Sequence, residues 1–294
     1  MNTGQYLTLM APGLANVWFE AQTPRETQYT RYFNTRMFDK LTLEDAKMAG
    51  FGPLQRISEG GEVAFDEAIT PVTKIYNSVT DGLGYRITEK LRRKELYGQV
   101  QKFEQALRRS AEDTLEIYAH GVLNNATNTT ISAGFDGLAL ASAAHTRMDG
   151  GATQSNSLST TLSLAALHTA RTTWAKYVDD RGRPIRLEMQ KLLVAVDLWP
   201  TAVELLDSKS RPDSANDAVN VVNRFGLQIL EGHYITSTTH WSIFGSQHDV
   251  NFVWDQKPSV KMWEEEKTDD ILRRVKQGYG RGHGEWRGYL LGNS

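Results

Sequence analysis

The chain has 294 residues, 40% of them hydrophobic and 23% charged, no cysteine and a formal net charge of −2. Such a length can bury a real core as one large domain or two modest ones, and the missing cysteine excludes disulfides, thiolate metal sites and thiol nucleophiles. A free monomer that grips nucleic acid tightly carries a basic surplus, so any DNA contact should be weak or local, whereas near-balanced charge suits self-association.

The start, Met1-Asn2-Thr3-Gly4-Gln5, lacks the basic opening of a secretory signal. No apolar run approaches the roughly 18 residues of a membrane span. The expectation is a soluble chain, made in a reducing cytoplasm.

Residues 1–46 read as an arm. Leu14, Val17, Trp18 and Phe19 cluster, then Tyr29, Tyr32, Phe33, Met37 and Phe38 recur at mixed helical spacing, with breaks at Pro12 and Pro24. Two readings stand: a helical start to a domain, or an arm whose aromatics find no local partner and dock on a neighbour.

Gly50, Gly52 and Pro53 mark a change at 47–84. Gly60-Gly61 between Leu54–Ser58 and Val63–Ala68 predicts a hairpin. Val72, Lys74-Ile75-Tyr76 and Val79 predict a further strand, closed by Asp81-Gly82-Leu83-Gly84. Apolar content is thin, and an isolated two-stranded hairpin is marginal in water. This one needs something to lie on.

From Ile87 to about Asn124, Leu91, Leu96, Val100, Phe103, Leu107, Leu115, Ile117, Tyr118 and Val122 recur at broadly helical spacing. A helix of that length wants a long, flat partner. Its Arg92, Arg93, Lys94, Lys102, Arg108 and Arg109, set against Glu95 and Glu104, read as a solvated face rather than a DNA-facing stripe.

Residues 131–161, rich in Gly, Ala, Ser and Thr, predict a long loop or weak hairpin. A compact α/β unit follows. It has a helix over Leu164–Tyr177, a turn at Asp179-Asp180-Arg181-Gly182-Arg183-Pro184, a buried strand at Lys191–Val196 and a helix at Trp199–Leu206. Strands are expected at Phe225–Leu230, His233–Ile235 and Trp241–Phe244. Near the end, Phe252-Val253-Trp254, Val260–Trp263, Ile271–Val275 and Glu285–Leu291 read as strands, and alternate glycines 278 to 284 as a twisted turn.

The search for chemistry is nearly empty. Gly278 to Gly284 fails the dinucleotide spacing in every register, and no phosphate loop, nucleophile elbow or zinc-protease helix occurs. The histidines at 120, 145, 168, 233, 240, 248 and 283 do not pair at metal-ligand spacing; His248 beside Asp249 comes nearest, and neighbours on a strand face opposite ways. Glu264-Glu265-Glu266 with Asp269-Asp270 reads as a solvated acidic run, and Ser142 near His145 lacks a third group. No catalytic, cofactor or metal residue is assigned, and no cofactor is expected.

The order of elements is what carries a resemblance. Arm, weak hairpin, very long helix, loop, inserted α/β unit and returning strands resemble the major capsid proteins of tailed bacteriophages, an α+β fold of the Hong Kong 97 type. Asp136-Gly137-Leu138-Ala139-Leu140 with Ala144-His145-Thr146, the 179–184 turn followed by Lys191-Leu192-Leu193-Val194 and Trp199–Leu206, Asn216–Val222, and Trp286-Arg287-Gly288 look most like the head subunit of Mu-like phages and prophages. The resemblance implies an N-terminal arm at 1–46, an extended loop at 47–84, and a peripheral domain with its spine helix at 85–161. It further implies an axial domain at 162–250 and returning peripheral strands at 251–294.

It also implies a structural, non-enzymatic subunit that closes through pentamers and hexamers into an icosahedral shell around double-stranded DNA, and hence a virion protein made in a bacterial host. Since Met1 leads almost directly into the arm, scaffolding is expected to come from a separate protein or to be unnecessary; the other expected partners are a portal, decoration proteins and weakly held DNA, and no membrane is involved. The hairpin and the 131–161 loop would serve as flexible joints. Some relatives cross-link a lysine to an asparagine; Lys47 and Lys74 lie in the loop, but nothing identifies a partner. The alternatives are an encapsulin-like compartment enclosing enzymes, a cytoplasmic α/β enzyme with its site in 162–250, and a portal or tail-tube subunit.

Overall fold

Two long strands carry one layer of the molecule. Along β10 (Asp270–His283), Ile271, Arg273, Val275 and Gln277 are buried while Leu272, Arg274 and Lys276 between them are more exposed, the alternation of a sheet covered on one face. The computed structural model describes residues 27–38, 42–93, 97–208 and 219–293. In it β10 lies between β9 (Val250–Glu265) and β4 (Val79–Ile87), both antiparallel, and β1 (Asn34–Met37) adds to β9 in parallel.

The buried face meets α2 (Tyr97–Asn124), which follows the short α1 (Glu89–Arg93). Val100, Leu107, Ala111 and Leu115 of α2 are buried. One expected solvated residue is not solvated: Glu104 is fully buried and forked onto Arg273 at 2.5 and 2.6 Å, with Tyr85 donating at 2.7 Å. A fork with a third donor is the arrangement that lets a charge pair lie out of water.

The second layer is a five-stranded sheet in the order β5 (Ser157–Leu158), β11 (Tyr289–Gly292), β8 (Trp241–Gly245), β6 (Met189–Ala195), β7 (Gln228–Gly232). It packs with α3 (Leu164–Ala175) and α4 (Trp199–Asp207) around Trp174, Trp241 and Trp286. Ser163 caps α3, its hydroxyl accepting the Ala166 N–H at 3.1 Å. The last strand, expected among the returning strands of 251–294, therefore belongs to the sheet of the 162–250 unit. A single apolar cluster joins the layers, taking Leu193, Phe244 and Leu291 from one sheet, Phe252, Trp254 and Tyr279 from the other, and Leu115 and Val122 from α2.

Several expectations are corrected. The hairpin is β2 (Leu43–Lys47) with β3 (Val72–Tyr76), not 54–58 with 63–68. Tyr76 anchors it by complete burial, while 53–68 have no strand partner and lie exposed. Asp81–Gly84 continues β4 instead of closing a strand, and His233–Ile235 is a turn. The alternate glycines lie inside and just beyond β10, where a Cβ on Gly280 would sit 2.7 Å from the Asn77 carbonyl and one on Gly282 3.1 Å from the Tyr76 ring. Close packing, not turning, requires them.

Of the arm's aromatics, Tyr29, Tyr32 and Phe33 are buried in this chain's own core, Tyr29 with its ring 4.7 Å from Phe252, so these pack locally, but on a single 3-10 turn (Tyr29–Arg31) leading into β1 and not on the expected helix. Leu14, Val17, Trp18 and Phe19 lie outside the described residues, as do 216–218. The 131–161 segment is not a loose joint: Asp136, His145 and Asn156 lock it.

Candidate assembly surfaces

Between β2 and β3 the chain runs from 48 to 71 without regular structure. Leu54 and Phe65 are 101% and 96% exposed, and Met48, Phe51, Ile57 and Val63 are also exposed. Apolar side chains gathered on one projecting loop mark a contact surface. Arg56 against Glu59, Glu62, Asp66 and Glu67 makes the loop acidic.

The neck is held differently. The Ile69 N–H reaches the Ala49 carbonyl at 3.3 Å, and Arg181 crosses from the 179–184 turn to the Gly50 carbonyl at 2.8 Å and to the Glu67 carbonyl. Beside it, Lys47 contacts Asp180 at 2.6 Å and also Glu285, and Arg287 reaches the same two carboxylates at 3.1 and 2.9 Å. Burial pushes the Asp180 carboxyl up, but Lys47 and Arg287 outweigh it and hold the group below the ordinary carboxylate range.

The sheet face away from α2 is opposite in charge. Arg274 pairs across with Lys261, Lys276 with Ser259 and Leu272 with Trp263, and Arg274 lies 5.3 Å over the Trp263 ring. Gly84 and Gly82 extend these rows into β4 without side chains. Like charges directly opposite are unfavourable in a sheet, and none of Lys261, Arg274 and Lys276 forms an ion pair with a described residue. The subunit thus carries an acidic, apolar projection and a basic, partly aromatic plate.

Residues 71–291 match the model of a phage capsid protein family. The chain belongs to that family. It is a major capsid subunit, a structural protein of the virion and not an enzyme, with the Hong Kong 97-type α+β fold. No curated protein matches. Among solved structures, it superposes on a chain of Mycobacterium phage Patience with a TM-score of 0.59 at 9% identity, covering 99% of this chain and 87% of that one. The asymmetric unit of the bacteriophage PhiM1 mature capsid gives 0.57 at 10% identity, with 93% and 88% covered. The capsid of cyanophage P-SCSP1u gives 0.55 at 11%, with 93% and 91% covered.

In this capsid protein the residues considered for chemistry have structural surroundings. His145 is fully buried, with Nδ1 2.6 Å from Asp136 and Nε2 3.0 Å from Asn156, and its ring is stacked on Trp286 at 4.3 Å. Ser142 joins through its N–H to Asn156 at 2.9 Å, while its hydroxyl accepts from Ala144. Asp136 entered the sequence reading only as part of a motif shared with His145, and Asn156 did not enter it; nothing in spacing marks an Asn 11 residues downstream as the ring's second partner.

His120, His240 and His248 are pushed down to about 4, and His283 to about 3, each mainly by burial. Among the described residues no group of His, Asp and Glu could hold a metal. His248 and Asp249 do not converge on a ligand site: Asp249 serves the backbone N–H of Glu285 and the Asn251 amide, at 2.9 and 2.7 Å. The acidic run bends into the β9–β10 turn, where the Glu265 carbonyl accepts from Thr268 and Asp269. Lys47 is held by carboxylates, and burial lowers the Lys74 ammonium, 5.7 Å from the Tyr76 ring. No helix among the described residues is long and apolar enough to cross a membrane.

Proposed function

We propose that copies of this subunit join as pentamers and hexamers by laying the acidic loop of one on the basic plate of the next, and that the resulting icosahedral shell encloses double-stranded DNA. The observation that carries this is the pairing of opposites on one chain: exposed Leu54, Ile57, Val63 and Phe65 among Glu59, Glu62 and Glu67, against Lys261, Trp263, Arg274 and Lys276. Charge complementarity steers encounter and fixes register, and apolar burial at the tip adds affinity. Each contact is small, but repetition around a closed ring multiplies it.

In this reading α2 with the four-stranded sheet forms the peripheral domain. The 162–250 unit, completed by β11, forms the axial domain about the symmetry centres. The resemblance to Mu-like heads, a separate scaffolding protein, a portal, decoration proteins and weak contact with DNA belong to the same proposal.

A charge exchange tests it. Lys261→Glu with Lys276→Glu should abolish closed shells in electron micrographs, as should Glu59→Lys with Glu62→Lys, and the four together should restore them. Shells from either pair alone, in wild-type yield, would reject the docking. Recovered wild-type particles should also carry nuclease-resistant DNA; particles filled with protein instead would overturn the DNA reading.

A further inference from the structure

One guanidinium holds both limbs of the extended loop. Arg181 donates from Nε to the Gly50 carbonyl at 2.8 Å on the outgoing limb and from Nη2 to the Glu67 carbonyl on the returning limb. Its Nη1 lies 3.6 Å from Asp66, whose carboxylate also takes the Gly52 N–H at 2.7 Å and so bridges the limbs a second time. Arg181 itself stands on a stiff base. Asp179 accepts the backbone N–H groups of Arg181 and Arg183 at 2.9 and 2.8 Å, Gly182 takes the left-handed conformation at φ 77°, and Asp180 is gripped by Lys47 and Arg287. Outward of the neck, 53–65 are exposed.

We propose that Arg181 is a positioning residue for assembly, clasping the neck so that the loop leaves the subunit at one set angle before a neighbour arrives. The role rests on the docking proposed above. A loop free to sweep all directions would lose that freedom on docking; a loop already aimed loses little, and binding strengthens without a new contact. The planar fork, with donors spread along its edge, spans two carbonyls and a carboxylate, which a lysine ammonium cannot do from one point.

The test is hydrogen exchange on the full-length chain before assembly, followed by electron microscopy after it, for wild type, Arg181→Ala and Arg181→Lys. In both variants the amides of Gly52 and Ile69 should exchange about tenfold faster, with β6 and β8 unchanged, and shells should be fewer and uneven in diameter. Rescue by lysine would reduce the clasp to simple charge and reject it. Unchanged loop exchange would reject it as well, and faster exchange with wild-type shells would reject the aiming role. Asp66→Asn, which leaves both carbonyl contacts, should raise exchange by about threefold; no rise would remove Asp66 from the clasp. Failure of the docking itself reads out separately: Leu54→Ser with Phe65→Ser should leave neck exchange at the wild-type level, and normal shells from that variant would sink the docking while leaving the clasp intact.

Discussion

Two long stretches with little or no regular structure, 48–71 and 131–161 (the second holding the two-residue β5), are built on opposite principles. The second is sewn into its own subunit. The Asn156 amide donates to the carbonyls of Leu140 at 2.7 Å and Tyr289 at 3.2 Å, its oxygen meets Ser142 and His145, and Ser132 lies 2.7 Å from His283. The first is tied at the neck, with its large apolar side chains turned outward. Backbone polar groups must find partners wherever they are buried, so a loop drawn inside has to bring side-chain amides and imidazoles with it. A loop that stays outside can rely on water until a neighbour covers it. Lack of secondary structure therefore says nothing about mobility; the side chains at the base decide it.

The sharpest way to break this contrast is Asn156→Leu, which strands two carbonyls, one N–H and the His145 ring at once. It should destabilise the subunit by about 3 kcal/mol or more and leave it largely insoluble; a loss under about 1 kcal/mol in denaturant titration would show that the segment is held elsewhere.

Acid should act next most strongly, on the sewn stretch and the core around it. His283 faces Ser132, Lys74, Asp136 and His145 and has its pKa lowered from 6.5 to about 3, largely by burial and then by the Lys74 charge. Between those values the unfolded chain takes up a proton that the folded chain refuses, so stability is lost as pH falls through that window. One pH unit of such refusal corresponds to about 1.4 kcal/mol. His120 and His240, lowered to about 4, add in the same direction. Thermal melting should fall steadily from pH 7 to pH 4, and His240→Gln should flatten the slope; a level profile would contradict the burial of these rings.

The smallest effect on the subunit should come from the other stretch. Leu54→Ser with Phe65→Ser should change its stability by under about 0.5 kcal/mol, since nothing packs on either side chain, yet remove shells from sedimentation profiles. A large loss of stability would mean that the loop serves its own subunit.

The long helix was legible because Val100, Leu107, Leu115 and Val122 repeat on one face and do face the sheet. The α/β unit was legible because its strands are short and apolar on both faces. The hairpin was misplaced because Gly60-Gly61 is a strong local turn, while pairing needed Tyr76 to find the core, which is a tertiary fact. Asp81 to Gly84 and the alternate glycines resembled turns for a related reason. At Gly82 and Gly84 the missing side chain answers a close approach by the Val275 and Arg273 carbonyls of β10, and at Gly280 and Gly282 by Asn77, Phe38 and Tyr76, all far away in sequence. Arg181 was quoted as part of a motif, but its partners are carbonyls 131 and 114 residues distant, and a carbonyl leaves no mark in a sequence.

The apolar cluster that joins both sheets to α2 has a mechanical consequence. The chain crosses between the layers at 246–249 and again at 284–288, and aromatic rings fill the junction: Phe244 lies 5.1 Å from Tyr289, and Phe252 lies 5.6 Å from Tyr279. Close-packed side chains resist shear and transmit strain. The subunit therefore behaves as a stiff tile, and a surface made of such tiles must find its curvature at the seams between them.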